Sequence, residues 1–169
     1  LPPGKFRIGL NYHFRYYDAT DENMRKTLRA LDVCGAKLVR GVALVYRDIA
    51  REDGTFDWND HGWDDKMKLL ADHGLPLDAI YQEAPTWTMV EGRWNASNGW
   101  RNCLIPPKSG YLKDFSRELA RRYGNRIAYY EVGNELDLVP TNIVSTADQV
   151  RMQREAWEGV HEVDPDLKV

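Results

Sequence analysis

Two residues near the end of an apolar run are equipped for proton transfer. The run from Arg126 to Val132 reads as a strand, and it continues through Gly133 into Asn134-Glu135. A strand that only filled a core would end in turn chemistry, whereas this one ends in an amide beside a carboxyl. A carboxyl partly removed from water holds its proton to higher pH than usual. Glu135 is expected to sit in such a place, where it can protonate a departing oxygen and later take a proton from water. Asn134 can hydrogen-bond a hydroxyl next to the reacting carbon. A strand-end Asn-Glu can equally cap the following loop, and spacing alone leaves both readings open.

Other residues gather at the same level of the chain. Glu131 shares strand parity with Glu135 and should point inward. An inward carboxylate needs a partner, and Arg40, at the end of an earlier strand, can supply it, with or without touching a ligand. Glu83 follows the third strand and is a candidate second carboxylate or, more simply, a ligand contact. Trp87, in the loop after that strand, can form a flat stacking wall or pack the loop onto the rim. Trp94 and Trp100 share the loop. His13 and Tyr12 follow the first strand on the same expected face, and Tyr46 is a weaker candidate there. Arg117, Glu118, Arg121 and Arg122 read as a solvated helix face.

The elements that must position these residues alternate strand and helix. A strand over 6–11 leads to a helix capped near Thr20-Asp21, carrying Met24, Leu28 and Leu31 on one face and closed by Gly35. A second strand begins over 36–41. The turn Glu52-Asp53-Gly54-Thr55 and a cap at Asn59 or Asp60 introduce a helix to His73. A third strand spans 75–81, and a polar, aromatic loop fills 82–107. Ser109 opens a helix through Tyr123, and the fourth strand follows. Ser145 or Thr146 caps a last helix to about Val163, and Leu167-Lys168-Val169 resembles the start of a fifth strand. Repeated βα units imply a parallel sheet with right-handed crossovers. The long connections all follow strands, so the functional face is expected at the strands' carboxyl ends. No Gly-rich phosphate loop follows the first strand, which argues against a dinucleotide fold. An eight-stranded barrel needs about 250 residues, so the expectation is an α/β chain that supplies about the first four units of a (β/α)8 barrel in one domain over residues 1–169.

Composition bounds the partners. The chain has 169 residues, 43% of them hydrophobic, and a net charge of −3, which gives no support for nucleic acid or an anionic membrane as partner. Six Trp and nine Tyr suit a site that stacks flat apolar faces such as sugar rings. Cys34 and Cys103 have no metal-type spacing and read as free thiols, and the four histidines are scattered; no metal or organic cofactor is expected. Asn95-Ala96-Ser97 matches a glycosylation acceptor, a tripeptide common by chance. No signal peptide stands at Leu1, and location is left open, with a secreted or periplasmic one preferred.

Asn134-Glu135 at the end of a fourth strand resembles the signature of the clan A retaining glycoside hydrolases. Glu131-Val132-Gly133-Asn134-Glu135 looks most like family 39, which holds β-xylosidases and α-L-iduronidases. Asp53-Gly54-Thr55-Phe56-Asp57-Trp58 and Ala84-Pro85-Thr86-Trp87 resemble the segments after that family's second and third strands. The resemblance implies a (β/α)8 barrel that cleaves a glycosidic bond with retention, with Glu135 as general acid/base and Asn134 on the sugar's 2-hydroxyl. Two departures stand out. The family continues Asn-Glu-Pro where this chain has Leu136, and its nucleophilic glutamate lies on a seventh strand. Retention needs two carboxyls about 5–5.5 Å apart, so the nucleophile is expected in a C-terminal half outside this sequence, and the chain alone is expected to be inactive. The expected partners are a carbohydrate and, at the open sheet edges, that other half or a second copy. The alternatives are a non-catalytic carbohydrate-binding barrel, a half-barrel scaffold, and a lyase or isomerase, which would call for a lysine or metal cluster.

Overall fold

The computed structural model describes residues 9–12, 22–59 and 62–169. Strands β1 (Gly9–Asn11), β2 (Leu38–Val45), β3 (Leu77–Gln82) and β4 (Ile127–Val132) form one sheet in the order β1-β2-β3-β4, every neighbouring pair parallel. Helices α1 (Glu22–Cys34), α3 (Trp63–Asp72) and α4 (Tyr111–Tyr123) lie between successive strands, and α5 (Thr146–His161) follows β4. One further turn of helix, α2 (Tyr46–Ile49), continues directly from β2. The caps expected at Thr20-Asp21 and at Asp60 lie outside the described residues.

Alternation along the strands sorts the two faces of the sheet. Leu77, Ala79 and Tyr81 of β3 belong to the main core with Met24, Leu28, Met67, Phe115, Leu119 and Ala156 from the helices. Asp78 and Ile80 therefore point to the other face, where Ile80 is also buried. Arg40, beside the core residue Val39, points the same way as Asp78, and the two are register partners. In α1, Met24, Leu28 and Leu31 are the buried stripe, as their spacing predicts.

Two helix starts differ from expectation. α3 begins at Trp63 behind Gly62, not at Asn59, and α4 begins behind Gly110 with no side-chain cap. The Ser109 hydroxyl is drawn instead to Glu155 of α5, at 2.9 Å. Ser145 does cap α5, in a reciprocal box with Asp148. Helices α4 and α5 cross in backbone contact: a Cβ on Gly159 would stand 2.2 Å from the Lys113 carbonyl.

The connections after β3 and β4 pack on one another. Ile105 of the first and Val139, Ile143 and Val144 of the second form a small separate core. Arg93 donates to the Ile143 carbonyl at 3.0 Å and to Asp148 at 2.5 Å, while Arg151 of α5 donates to the Pro107 carbonyl at 2.8 Å. At the outer edge of β4, Tyr130 N donates to the Lys168 carbonyl at 2.8 Å. That is one contact of the kind a fifth strand would make, although residues 167–169 are not themselves a strand.

Candidate active site

The inward face of the sheet carries a connected polar cluster. Arg40 Nε donates to Glu131 Oε2 at 2.8 Å, and its Nη2 donates both to Glu131 Oε1 and, at 3.2 Å, to Asn134 Oδ1. The two-pronged geometry matches a planar guanidinium to a planar carboxylate. Glu131 is inward, as parity predicts, and its partner is Arg40; Arg40 lies early in β2 (Leu38–Val45), not at the strand's end as expected, and the two meet across β3. The hydrogen bond to Glu131 keeps the Arg40 pKa above its already high ordinary value, and the charges of Glu131, Asp78 and Glu135 add to the effect. With its oxygen turned to Arg40, Asn134 has its NH2 group to offer to a ligand hydroxyl.

Asp78 belongs to this cluster and was not singled out from sequence. Its Oδ2 lies 3.9 Å from Arg40 Nε. Burial raises its pKa, the neighbouring Glu131 charge raises it further, and Arg40 opposes both. The available signal was a lone Asp inside the apolar run Leu75-Pro76-Leu77-Asp78-Ala79-Ile80, on the parity that faces away from the helices.

Glu135 stands at the rim beyond Asn134. Among the described residues, it and Glu83 are the two non-glycine positions with positive φ, at 52° and 63°. Both are carboxylates just past the end of a strand, and such backbone strain concentrates at functional sites. The chain reaches Glu135 through Gly133, at φ 72°, whose N–H donates to the Tyr81 carbonyl at 3.1 Å. Leu136, where the resembling family has proline, folds back beneath Gly133: a Cβ there would come within 2.8 Å of it. The Leu136 carbonyl also accepts from Gln149 Nε2 of α5 at 3.3 Å. Packing and one hydrogen bond thus restrain the backbone where a proline ring would have done so.

The expectation that Glu135 is partly dry is not met, because the residue is exposed. Its wall would have to come from whatever stands beyond the free edge of β4. Glu83 behaves in the opposite way. Its side chain is 10% exposed, and its Oε2 lies 3.1 Å from Arg47 Nη2 of α2. It lines a cavity of about 20 Å³ with Tyr81, Gly133 and Leu136. Arg47, the clamp on Glu83, was not foreseen either.

The remaining candidates separate. Trp87 is half-buried and meets Tyr111 edge-on, with ring centroids 5.7 Å apart. It lines a groove of about 730 Å³ whose walls include neither Arg40, Asn134 nor Glu135. Tyr46 is core, stacked on Phe115. Trp94 is exposed, Tyr12 N donates to the Arg40 carbonyl at 2.7 Å, and His13 lies outside the described residues. Arg122 is more than solvated surface: it binds Asp64 of α3 and lies over the Trp58 ring. Among the described residues neither Cys34 nor Cys103 is in a disulfide. Among the described residues no group of His, Cys, Asp and Glu has a metal-holding arrangement, and no helix is long and apolar enough to cross a membrane.

No protein-family model matches the sequence, and no curated protein matches it. Solved structures do. A family 39 glycoside hydrolase from Bacteroides cellulosilyticus superposes with a TM-score of 0.69 at 16% identity, over 94% of this chain and 30% of that one. The fold is the one found in family 39 glycoside hydrolase barrels. A monomeric β-xylosidase from Caulobacter crescentus gives 0.63 at 18% identity, over 96% of this chain and 35% of its own. A bacterial orthologue of human α-L-iduronidase gives 0.63 at 17%, over 96% and 26%. The chain therefore corresponds to about a third of the length of these proteins, and its four parallel βα units are units of the same barrel fold.

Proposed function

We propose that this chain carries the acid/base half of a retaining glycosidase site. In this reading Glu135 protonates the departing glycosidic oxygen while a carboxylate on a later strand attacks the anomeric carbon. Glu135 then takes a proton from the water that releases the sugar. Asn134, oriented by Arg40, donates its NH2 to the hydroxyl beside the anomeric carbon, a bond that strengthens as positive charge grows on the ring. The observation that carries the reading is the strained, αL presentation of Glu135 beside an Asn134 whose oxygen is fixed by the Arg40–Glu131 pair. Glu83 is assigned no part in the bond cleavage, because its buried carboxylate is ion-paired to Arg47 at 3.1 Å. By itself the 169-residue chain is expected to bind sugar without cleaving it.

The exposure of Glu135 favours a second reading, a barrel that binds carbohydrate and does not cut it. Glu135→Gln separates the two when assayed with an aryl glycoside in the longest form of the protein that can be made. Loss of turnover with sugar affinity kept supports catalysis, whereas no turnover in the unaltered protein supports binding alone.

A further inference from the structure

The groove that holds Trp87 lies between the loop 50–56 and the first half of α4. At about 730 Å³ it falls within the range of small-molecule sites. Three partly exposed aromatic residues, Phe56, Trp87 and Tyr111, lie along it. Polar groups held by their own neighbours share the lining: Arg51 pairs with Asp57 at 3.1 Å, and Arg117 with Asp114 at 2.7 Å. Charged pairs already fixed in place present oxygens and N–H groups without themselves needing a charged ligand. The lining counts two arginines against Glu52, Asp53, Asp114 and Glu118, a balance of −2, which disfavours an anionic occupant. Flat rings beside fixed hydrogen-bonding groups match a molecule whose faces are apolar and whose edge is ringed with hydroxyls.

We infer that this groove is a second carbohydrate site, taking two or more units of a neutral saccharide chain outside the Arg40–Asn134–Glu135 cluster. The choice of a saccharide rests on the function proposed above; the separateness of the site rests on the groove's own lining. Such a site would hold one stretch of a polymer while another stretch reaches the strand ends.

Saturation-transfer NMR and calorimetry with xylohexaose, and with hexagalacturonate as the anionic counterpart, test the inference. The unaltered protein should bind xylohexaose and shift the Trp87 indole resonance. Tyr111→Ala should weaken that binding about tenfold, Tyr111→Phe should restore most of it, and Asn134→Ala should leave the Trp87 shift in place. The Trp87 shift in unaltered protein keeps the test decisive even if Tyr111→Ala fails to fold. The inference is overturned if xylohexaose leaves Trp87 unmoved, or if hexagalacturonate binds the groove more tightly. Binding that is lost with Asn134→Ala but kept with Tyr111→Ala would overturn the groove while leaving the central site standing. Absence of sugar binding at both places would overturn both.

Discussion

Glu83 and Glu135 lie past the ends of neighbouring strands, Glu83 directly after β3 and Glu135 a short step beyond β4. Each follows the carboxyl end of its strand, and each has left-handed backbone, at φ 63° and 52°. Their surroundings are opposite. Glu83 is nine-tenths buried and ion-paired to Arg47, against the floor of the loops; Glu135 is exposed at the rim, beyond an asparagine tied to Arg40. A strained backbone alone therefore does not mark a catalytic group. What differs is whether the carboxylate is buried in an ion pair or exposed at the rim. Glu83 is held to α2 by Arg47, while the exposed Glu135 is, in the function proposed above, the group that meets a ligand.

Substitutions should expose that difference. In a form of the protein that turns over, Glu135→Gln is expected to lower kcat for an aryl glycoside by about 10²–10⁴-fold, the usual worth of a general acid. Its thermal midpoint should stay unchanged, since an exposed isosteric change costs little. Equal rates for the two proteins would remove the distinction. Arg47→Ala is the complementary change, because it takes the Arg47 cation away from the buried Glu83 carboxylate. Arg47 is itself 43% exposed, so the loss should be about 1–2 kcal/mol, read from the urea midpoint, below the 3–5 kcal/mol of a fully buried pair.

The packing between the two rim connections should depend on acidity. Asp148 is driven up by burial, but hydrogen bonds from Arg93 and Ser145 outweigh this and hold it down to about 2. Its folded pKa lies below its unfolded value near 3.8, so its contribution is fully present above that value and fades as pH falls towards 2. The contribution is about 2 kcal/mol. Asp148→Asn should flatten the stability profile across that interval, and an unaltered slope would show that the clamp is not made. The smallest expected effect compares two glycine substitutions. Glu135→Gly should leave stability unchanged or raise it by about 0.5–1 kcal/mol, as backbone strain is relieved. Glu83→Gly should lower it, because the lost ion pair exceeds that relief.

Much of this was legible in the chain. Periodicity gave the buried stripe of α1 and the parallel βα order, strand parity turned Glu131 inward, and the need of an inward carboxylate for a cation led to Arg40. Ser145 as a cap followed from its side-chain chemistry. The errors have physical causes. Ser109 looked like a cap, but its hydroxyl found Glu155 on α5, a contact set by the α4–α5 crossing. The single turn of α2 is too short to show a period, and packing of Tyr46 and Ile49 decides it. Asp78 is one polar residue in an apolar strand, and its meaning depends on strands on both sides. The dryness of Glu135 depends on neighbours across the β4 edge, which no local pattern encodes.

The central claim is that Glu135 gives and takes the proton in glycoside cleavage. The most direct measurement is azide rescue of Glu135→Ala, made in a form of the protein that turns over, with an aryl glycoside whose leaving group needs no acid. Azide attacks the glycosyl-enzyme without a base, so turnover should recover and the product should be a glycosyl azide of retained configuration. Turnover by Glu135→Ala at the unaltered rate without azide, or an azide product of inverted configuration, would contradict the account.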